Sequence, residues 1–257
     1  MNILFIGDIF GQPGRDALVD RLPTLIDERA VDFVIANGEN VANGAGITSK
    51  LAARLLAGGV DVITTGNHVW RQREVFPFLD TSDQIVRPAN MAAACPGRGL
   101  TVRAAHDGDP VAVIDLLGHL FMDSGLSPFR IVDALVDEAG AMAETIVVDI
   151  HGEATSEKVA MGHYLDGRVT AVLGTHTHVQ TSDARVLPKG TAYITDVGMT
   201  GPLESVIGVR TDIIIQRFIT EMPVHFEVGD GAVRLNAVVI AATGGRATAI
   251  EAIEEIL

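Results

Sequence analysis

Cysteine, basic charge and long apolar runs are all scarce in this chain. The single cysteine, Cys95, excludes an internal disulfide framework and predicts a reducing, cytoplasmic location. Only 19 Lys and Arg stand against 33 Asp and Glu, a net charge of −14. Bulk nucleic-acid binding is therefore not expected, because it rests on neutralising many phosphates with cations. Small phosphate ligands are a separate case, since a bound cation can create a positive centre inside an acidic protein. The apolar stretches reach only about 8 to 10 residues, short of the ~20 that a membrane-spanning helix needs, so no membrane partner is expected. Met1–Phe5 has no basic segment ahead of an apolar one, which argues against a signal peptide. Repeats, linkers and low-complexity segments are missing too, and the 257 residues are expected to form one domain spanning 1–257. Self-association into a homo-oligomer stays open.

What the chain does have is a series of short Val- and Ile-rich runs bounded by turn residues. They are Ile3–Ile6, Phe33–Ala36, Val60–Thr65, Val111–Leu117, Thr145–Ile150, Val169–Leu173 and Ala192–Thr195, and they read as buried strands. Amphipathic segments at Arg15–Glu28, Ser49–Ala57 and Pro128–Met142 read as helices between them, so the fold class is α/β. Near the end, Val224–Val228 and Val233–Ala241 flank Asp230-Gly231 and predict a hairpin. Ala247–Ile256 fits helix or strand equally.

The polar residues at the strand ends carry the chemistry. Asp8, Glu39 with Asn40, Asn67 with His68, His151, and His176 with His178 each fall at or just past the end of a run. Open α/β sheets assemble sites at strand C-termini, so these distant residues are expected to converge. Alone, Asp8 fits a helix cap, Glu39-Asn40 and Asn67-His68 fit turns, and His151 fits a satisfied buried histidine. Together they form a set of oxygen and nitrogen donors without a thiolate, suited to Fe, Mn or Zn. So many ligands, one of them able to bridge, predict two metals. Other metal hydrolases are disfavoured, because neither a His-x-His near the first strand nor a His-Glu-x-x-His is present. Arg15 and Arg87 read as surface or turn residues before phosphate contacts. Asp196 reads as a partner for a ligand histidine, and Thr155–Glu157 as a helix start or a support beneath His151.

The chain resembles the calcineurin-like metallophosphoesterase superfamily through Gly7-Asp8, Gly38-Glu39-Asn40, Gly66-Asn67-His68, His151 and Gly174-Thr175-His176-Thr177-His178. The nearest likeness is to its YmdB-like branch, carried by GDIFGQPGR at Gly7–Arg15, NGEN at Asn37–Asn40, RPAN at Arg87–Asn90, HGEATSEK at His151–Lys158, GTHTHVQT at Gly174–Thr181 and LPKGTAYITDVGMTGP at Leu187–Pro202. That resemblance implies a four-layer α/β/β/α sandwich of two mixed β-sheets and a dinuclear centre of iron, alternatively manganese. One ion would take Asp8, Glu39, Asn40 and His178. The other would take Glu39, Asn67, His151 and His176, with Glu39 bridging. Two departures from the wider superfamily, Phe10 where a ligand histidine is usual and Glu39 for the usual aspartate, match the YmdB-like branch. The implied activity is hydrolysis of small phosphodiesters such as 2′,3′-cyclic AMP, by in-line attack of a metal-bridging hydroxide with His68 as proton donor. Phosphomonoester hydrolysis, or a regulatory metal-binding protein acting through partners, are the alternatives.

Overall fold

The computed structural model describes residues 1–122 and 125–257. Four strands open the chain: β1 (Asn2–Ile6), β2 (Asp8–Ile9), β3 (Phe33–Asn37) and β4 (Val62–Thr64). Six follow: β5 (Leu100–Ala104), β6 (Pro110–Leu117), β7 (Thr145–His151), β8 (Ala171–Thr175), β9 (Arg185–Val186) and β10 (Ala192–Ile194). The last three are β11 (Met199–Pro202), β12 (Val233–Thr243) and β13 (Arg246–Ile256). The helices are α1 (Gly11–Arg29), α2 (Ser49–Ala57), α3 (Phe76–Thr81), α4 (Val132–Gly140), α5 (Thr155–Leu165) and α6 (Thr211–Thr220).

Two mixed sheets result. The first has the order β2-β11-β12-β1-β3-β4, with β13 along the other edge of β12. The second has the order β5-β6-β7-β8-β10-β9, parallel inside and antiparallel at both edges. The period-two alternation of each strand supplies three apolar layers. Ile3 and Phe5 of β1 face Val113, Val147 and Leu173 between the sheets. Leu4 and Ile6 face outward onto Leu18, Leu22 and Leu25 of α1 and Leu55 of α2. On the far side, Ile114, Val148 and Val172 pack against Val136 of α4 and Met161 of α5. This is the expected α/β/β/α sandwich, and strands apolar on both faces are what it requires. Among the described residues no helix is long and apolar enough to cross a membrane.

Three sequence expectations shift. The terminal hairpin pairs β12 with β13, and its turn is Gly244-Gly245, not Asp230-Gly231. Both glycines have positive φ (56° and 71°), as a two-residue turn between twisted strands demands. Val224–Val228 forms no strand; it makes an isolated Val209–Val228 bridge, and its Glu227 carbonyl accepts from the Arg210 amide at 2.9 Å. Ala247–Ile256 is thus strand; its outer position leaves it largely exposed, which is why its periodicity was ambiguous. The segment expected as one helix from Pro128 breaks into a 3₁₀ turn, Pro128–Arg130, followed by α4.

Candidate metal centre

The inner face of each parallel strand is apolar along most of its length and turns polar at its C-terminal end. Phe33 and Ile35 give way to Asn37, Val62 to Thr64, Val147 to Asp149 and His151, and Leu173 to Thr175. These residues lock the two sheets together. Asp149 accepts hydrogen bonds from Thr64 Oγ1 (2.6 Å), Asn37 Nδ2 (3.0 Å) and Thr175 Oγ1 (2.7 Å). Asp115, beside it in β6, accepts from the Thr65 amide at 2.9 Å. Burial raises the pKa of both carboxyls, Asp149 to about 6 and Asp115 well above the usual range, with the Asp149 charge adding to the latter. The strand-end reading does not single out Asn37, Thr64, Asp115, Asp149 or Thr175 as site residues. Continuing the inward-facing register past the apolar residues would have found them.

All eight residues singled out by sequence lie above this floor. Around His151 Nε2 stand Glu39 Oε1 at 3.0 Å, His176 Nδ1 at 3.0 Å and Asn67 Oδ1 at 3.2 Å. Glu39, His151 and His176 present ligand atoms within 4.8 Å of one another. Beside them, His178 Nε2 lies 3.7 Å from Asp8 Oδ1 and 3.1 Å from the Asn40 amide nitrogen. His68 is half-buried; its Nδ1 lies 3.0 Å from Asn40 Oδ1, and its backbone N–H donates to Glu39 Oε2 at 3.0 Å.

The loop holding His176 and His178 is strained, since both have positive φ (98° and 65°), a region side chains rarely adopt. Buried groups over-determine it. Asp8 Oδ2 accepts from the His176 amide at 3.0 Å, and Asp196 Oδ2 accepts from Thr177 N (3.1 Å) and Thr177 Oγ1 (2.7 Å). Lys158 Nζ, itself buried, donates to Asp196 Oδ2 at 2.8 Å and to the Thr175 carbonyl at 3.2 Å. Asp196 therefore supports the loop backbone, not an imidazole ring as expected. Glu157 likewise does not reach His151; it accepts from the His119 and Leu120 amides after β6. Arg15 and Arg87 are both buried. Arg15 donates to the Val41 carbonyl, and Arg87 to those of Pro88, Cys95, Pro96 and Gly97, so neither reaches the site.

Asp8 Oδ1 is buried without a hydrogen-bond donor, and Glu39 Oε1, equally buried, has only the His151 imidazole at 3.0 Å, without hydrogen-bond geometry. Orphaned carboxylate oxygens are costly unless a cation satisfies them. Burial works against ionising Glu39, yet the charge of His151 overrides it and lowers the Glu39 pKa. Burial opposes a charge on His151 too, but Glu39 and Asp8 raise its pKa. Burial and the neighbouring His151 charge push His176 down to about 3, which keeps its imidazole neutral and able to coordinate. Donor types, orphaned oxygens and convergence all fit metal.

A sandwich of two mixed sheets with such a donor set at their C-terminal edge is metallophosphoesterase-like. The profile of the family described as YmdB-like protein matches residues 4–253, and the chain belongs to that family. It is 50% identical, over 93% of its length and 90% of the relative, to the 2′,3′-cyclic-nucleotide 2′-phosphodiesterase of Bacillus subtilis. A hypothetical protein from Thermus thermophilus superposes with a TM-score of 0.94 at 42% identity, covering 100% of this chain and 99% of the other. A novel phosphatase of Mycoplasma pneumoniae gives 0.92 at 34% identity, covering 100% and 93%. The chain is a phosphoesterase.

Proposed function

We propose that the chain hydrolyses small phosphodiesters, with 2′,3′-cyclic nucleotides as the substrate class, at a two-metal centre. The observation that carries this reading is the pair of orphaned carboxylate oxygens on Asp8 and Glu39, each facing a different group of nitrogen and oxygen donors. Asp8, Glu39, Asn40 and His178 would hold one ion, and Glu39, Asn67, His151 and His176 would hold the other. Iron suits this mixture, with manganese the alternative. Bound there, such ions supply a nucleophilic water at neutral pH and neutralise phosphoryl charge. The name of the Bacillus subtilis relative supports the substrate class. The lone cysteine fits the cytoplasm as the place of action.

A cavity of about 320 Å³ opens on these donors, and Phe10, Ile207, Val209 and Phe226 give it an apolar wall. Such a wall suits a nucleobase. No arginine or lysine lines it, so the extra negative charge of a phosphomonoester would find no partner there. A diester, carrying one charge, fits better. In the reaction the phosphorus gains a bond to water oxygen and loses one ribose oxygen, which must take a proton. His68 donates it. Nδ1 of its ring is engaged by Asn40 and lies 3.4 Å from Glu39 Oε1, which leaves Nε2 to face the leaving oxygen. Asn40 Oδ1 accepts from Nδ1–H, so the proton that His68 gives up from Nε2 is that of the imidazolium.

His68→Ala is expected to lower turnover of 2′,3′-cyclic AMP by about a hundredfold or more, the range for losing a general acid. Esters with a p-nitrophenolate leaving group, which needs no proton, should be nearly spared. Equal losses on both would assign His68 a role other than acid. Gly66 gives an independent check, because a Cβ there would overlap Glu39 Oε2 and His151 Nε2. Gly66→Ala is expected to cut the metal content of the purified protein by about tenfold or more. An unchanged content by elemental analysis would mean that these side chains hold no ion.

A further inference from the structure

His176 also borders a second cavity, of about 510 Å³, together with Asn67, Trp70, Arg71, Met91 and Phe121. It is the only residue lining both, so the donor cluster stands between two clefts leading in different directions. Their chemistries differ. The first pairs the donor residues with an apolar wall and has no arginine or lysine among the described residues; the second carries Arg71. This guanidinium is exposed and, among the described residues, has neither a carboxylate nor a hydrogen-bond partner, in a chain with 33 acidic residues. Trp70 is fixed by an edge-on contact with Phe76 (5.5 Å between centroids, 84° between planes). Phe121 is 89% exposed, an unburied ring at the rim of the cleft.

A 2′,3′-cyclic nucleotide held by its phosphate sends out two groups on diverging paths, the base from C1′ and the 5′-oxygen from C4′. In a free nucleotide that oxygen ends as a hydroxyl. At the 3′ end of an RNA strand it continues into a phosphodiester and another nucleotide. We propose that the Arg71 cleft receives this upstream nucleotide, so that short RNA ending in a 2′,3′-cyclic phosphate is a substrate. Arg71 meets the bridging phosphate, and Trp70 and Phe121 flank the upstream base; both are common modes of binding single strands. The inference rests on the cyclic phosphodiesterase reading above. The reaction that supplies such a substrate is RNA cleavage by attack of a ribose 2′-hydroxyl, which leaves this end. The cleft has room for about one nucleotide, and the acidic surface repels longer RNA, so the preference stops at short ends.

Two measurements test it. With the metal-loaded enzyme, kcat/KM is compared for adenosine 2′,3′-cyclic phosphate and for the dinucleotide ApA ending in the same group. The native protein should favour the dinucleotide by about tenfold, the scale of one charge-assisted phosphate contact, and Arg71→Ala should bring the ratio near one. Separately, Trp70 is the only tryptophan, and its fluorescence in the metal-free protein should be quenched by ApA 3′-phosphate and not by adenosine 3′-phosphate. Thermal unfolding confirms that the exposed Arg71 variant is folded. Turnover of the mononucleotide without preference for the dinucleotide overturns the inference and leaves the phosphodiesterase reading standing. Equal loss on both substrates in Arg71→Ala overturns it too, by placing Arg71 at the cyclic phosphate. No turnover of either substrate by the native enzyme sinks the underlying reading and the inference with it.

Discussion

Glu39→Gln is expected to abolish practically all phosphodiesterase activity, by about a thousandfold or more in kcat/KM, equivalent to roughly 4 kcal/mol of lost transition-state stabilisation. The substitution keeps shape and removes charge. Glu39 is the one carboxylate between the two donor groups, 1% exposed, with Oε1 3.0 Å from His151 Nε2 and Oε2 receiving the His68 amide. A neutral amide there would leave both proposed ions short of a ligand and the His151 imidazole short of its counter-charge. Elemental analysis should show metal lost along with activity. A metal-replete but inactive variant would instead point to a role in the chemical step alone.

The same pair contributes to how the metal-free chain responds to pH. Folding raises the pKa of His151, so the stability it contributes is complete below about 6.5, the unfolded value. That contribution is lost as pH rises through the raised folded value. Folding lowers the pKa of Glu39, so its contribution is present above about 4.3 and is lost on acidification through the folded value. In chelated protein the contribution of this pair should therefore be fullest between these limits, opposed below about 6.5 by His176, which folding holds neutral, and Glu39→Gln should flatten the alkaline fall in melting temperature. Metal uptake needs a neutral His151, so it should release a proton in that window.

Much of this site could be read from sequence because of how parallel strands end. Strands covered on both faces are apolar along most of their length, so the polar residues just past Ile6, Ala36 and Ile150 stand out, and the fold brings those ends to one edge. Asp8, Glu39 and His151 were legible for that reason. Asn37, Asp149 and Thr175 lie within or at the ends of strands on the inward register, and a single polar residue in a strand gives no sign of which partner satisfies it. Arg71 was invisible for another reason. Its significance comes from what is absent around it among the described residues, a carboxylate partner, and that depends on the three-dimensional arrangement of the acidic residues. The misplaced hairpin shows the limit of turn chemistry: Asp230-Gly231 and Gly244-Gly245 are equally good turn signals. Pairing along the whole outer edge of β12 chose between them.

The loop that presents His176 and His178 should prove to depend on the buried Lys158–Asp196 pair, with the two partners far from equal. Lys158 is 1% exposed and Asp196 is not exposed at all. Asp196→Ala leaves the ammonium with only the Thr175 carbonyl, and strands the Thr177 and Gly198 amides as well. Its expected cost is about 3–5 kcal/mol, the range for isolating a buried charge. Lys158→Met leaves a carboxylate that still accepts from Thr177 N, Thr177 Oγ1 and Gly198 N, at 3.1, 2.7 and 2.9 Å. It should cost clearly less. The double variant should lose less than the sum of the single ones, because the second change removes a charge the first had left unpaired. Urea unfolding of the four metal-free proteins measures all three quantities. The left-handed backbone of both histidines is tied to the amides that Asp196 accepts, so Asp196→Ala should also weaken metal uptake more than Lys158→Met does. Equal costs for the two single variants would mean that the charge pair itself, and not the carboxylate's grip on the Thr177 backbone, maintains the loop.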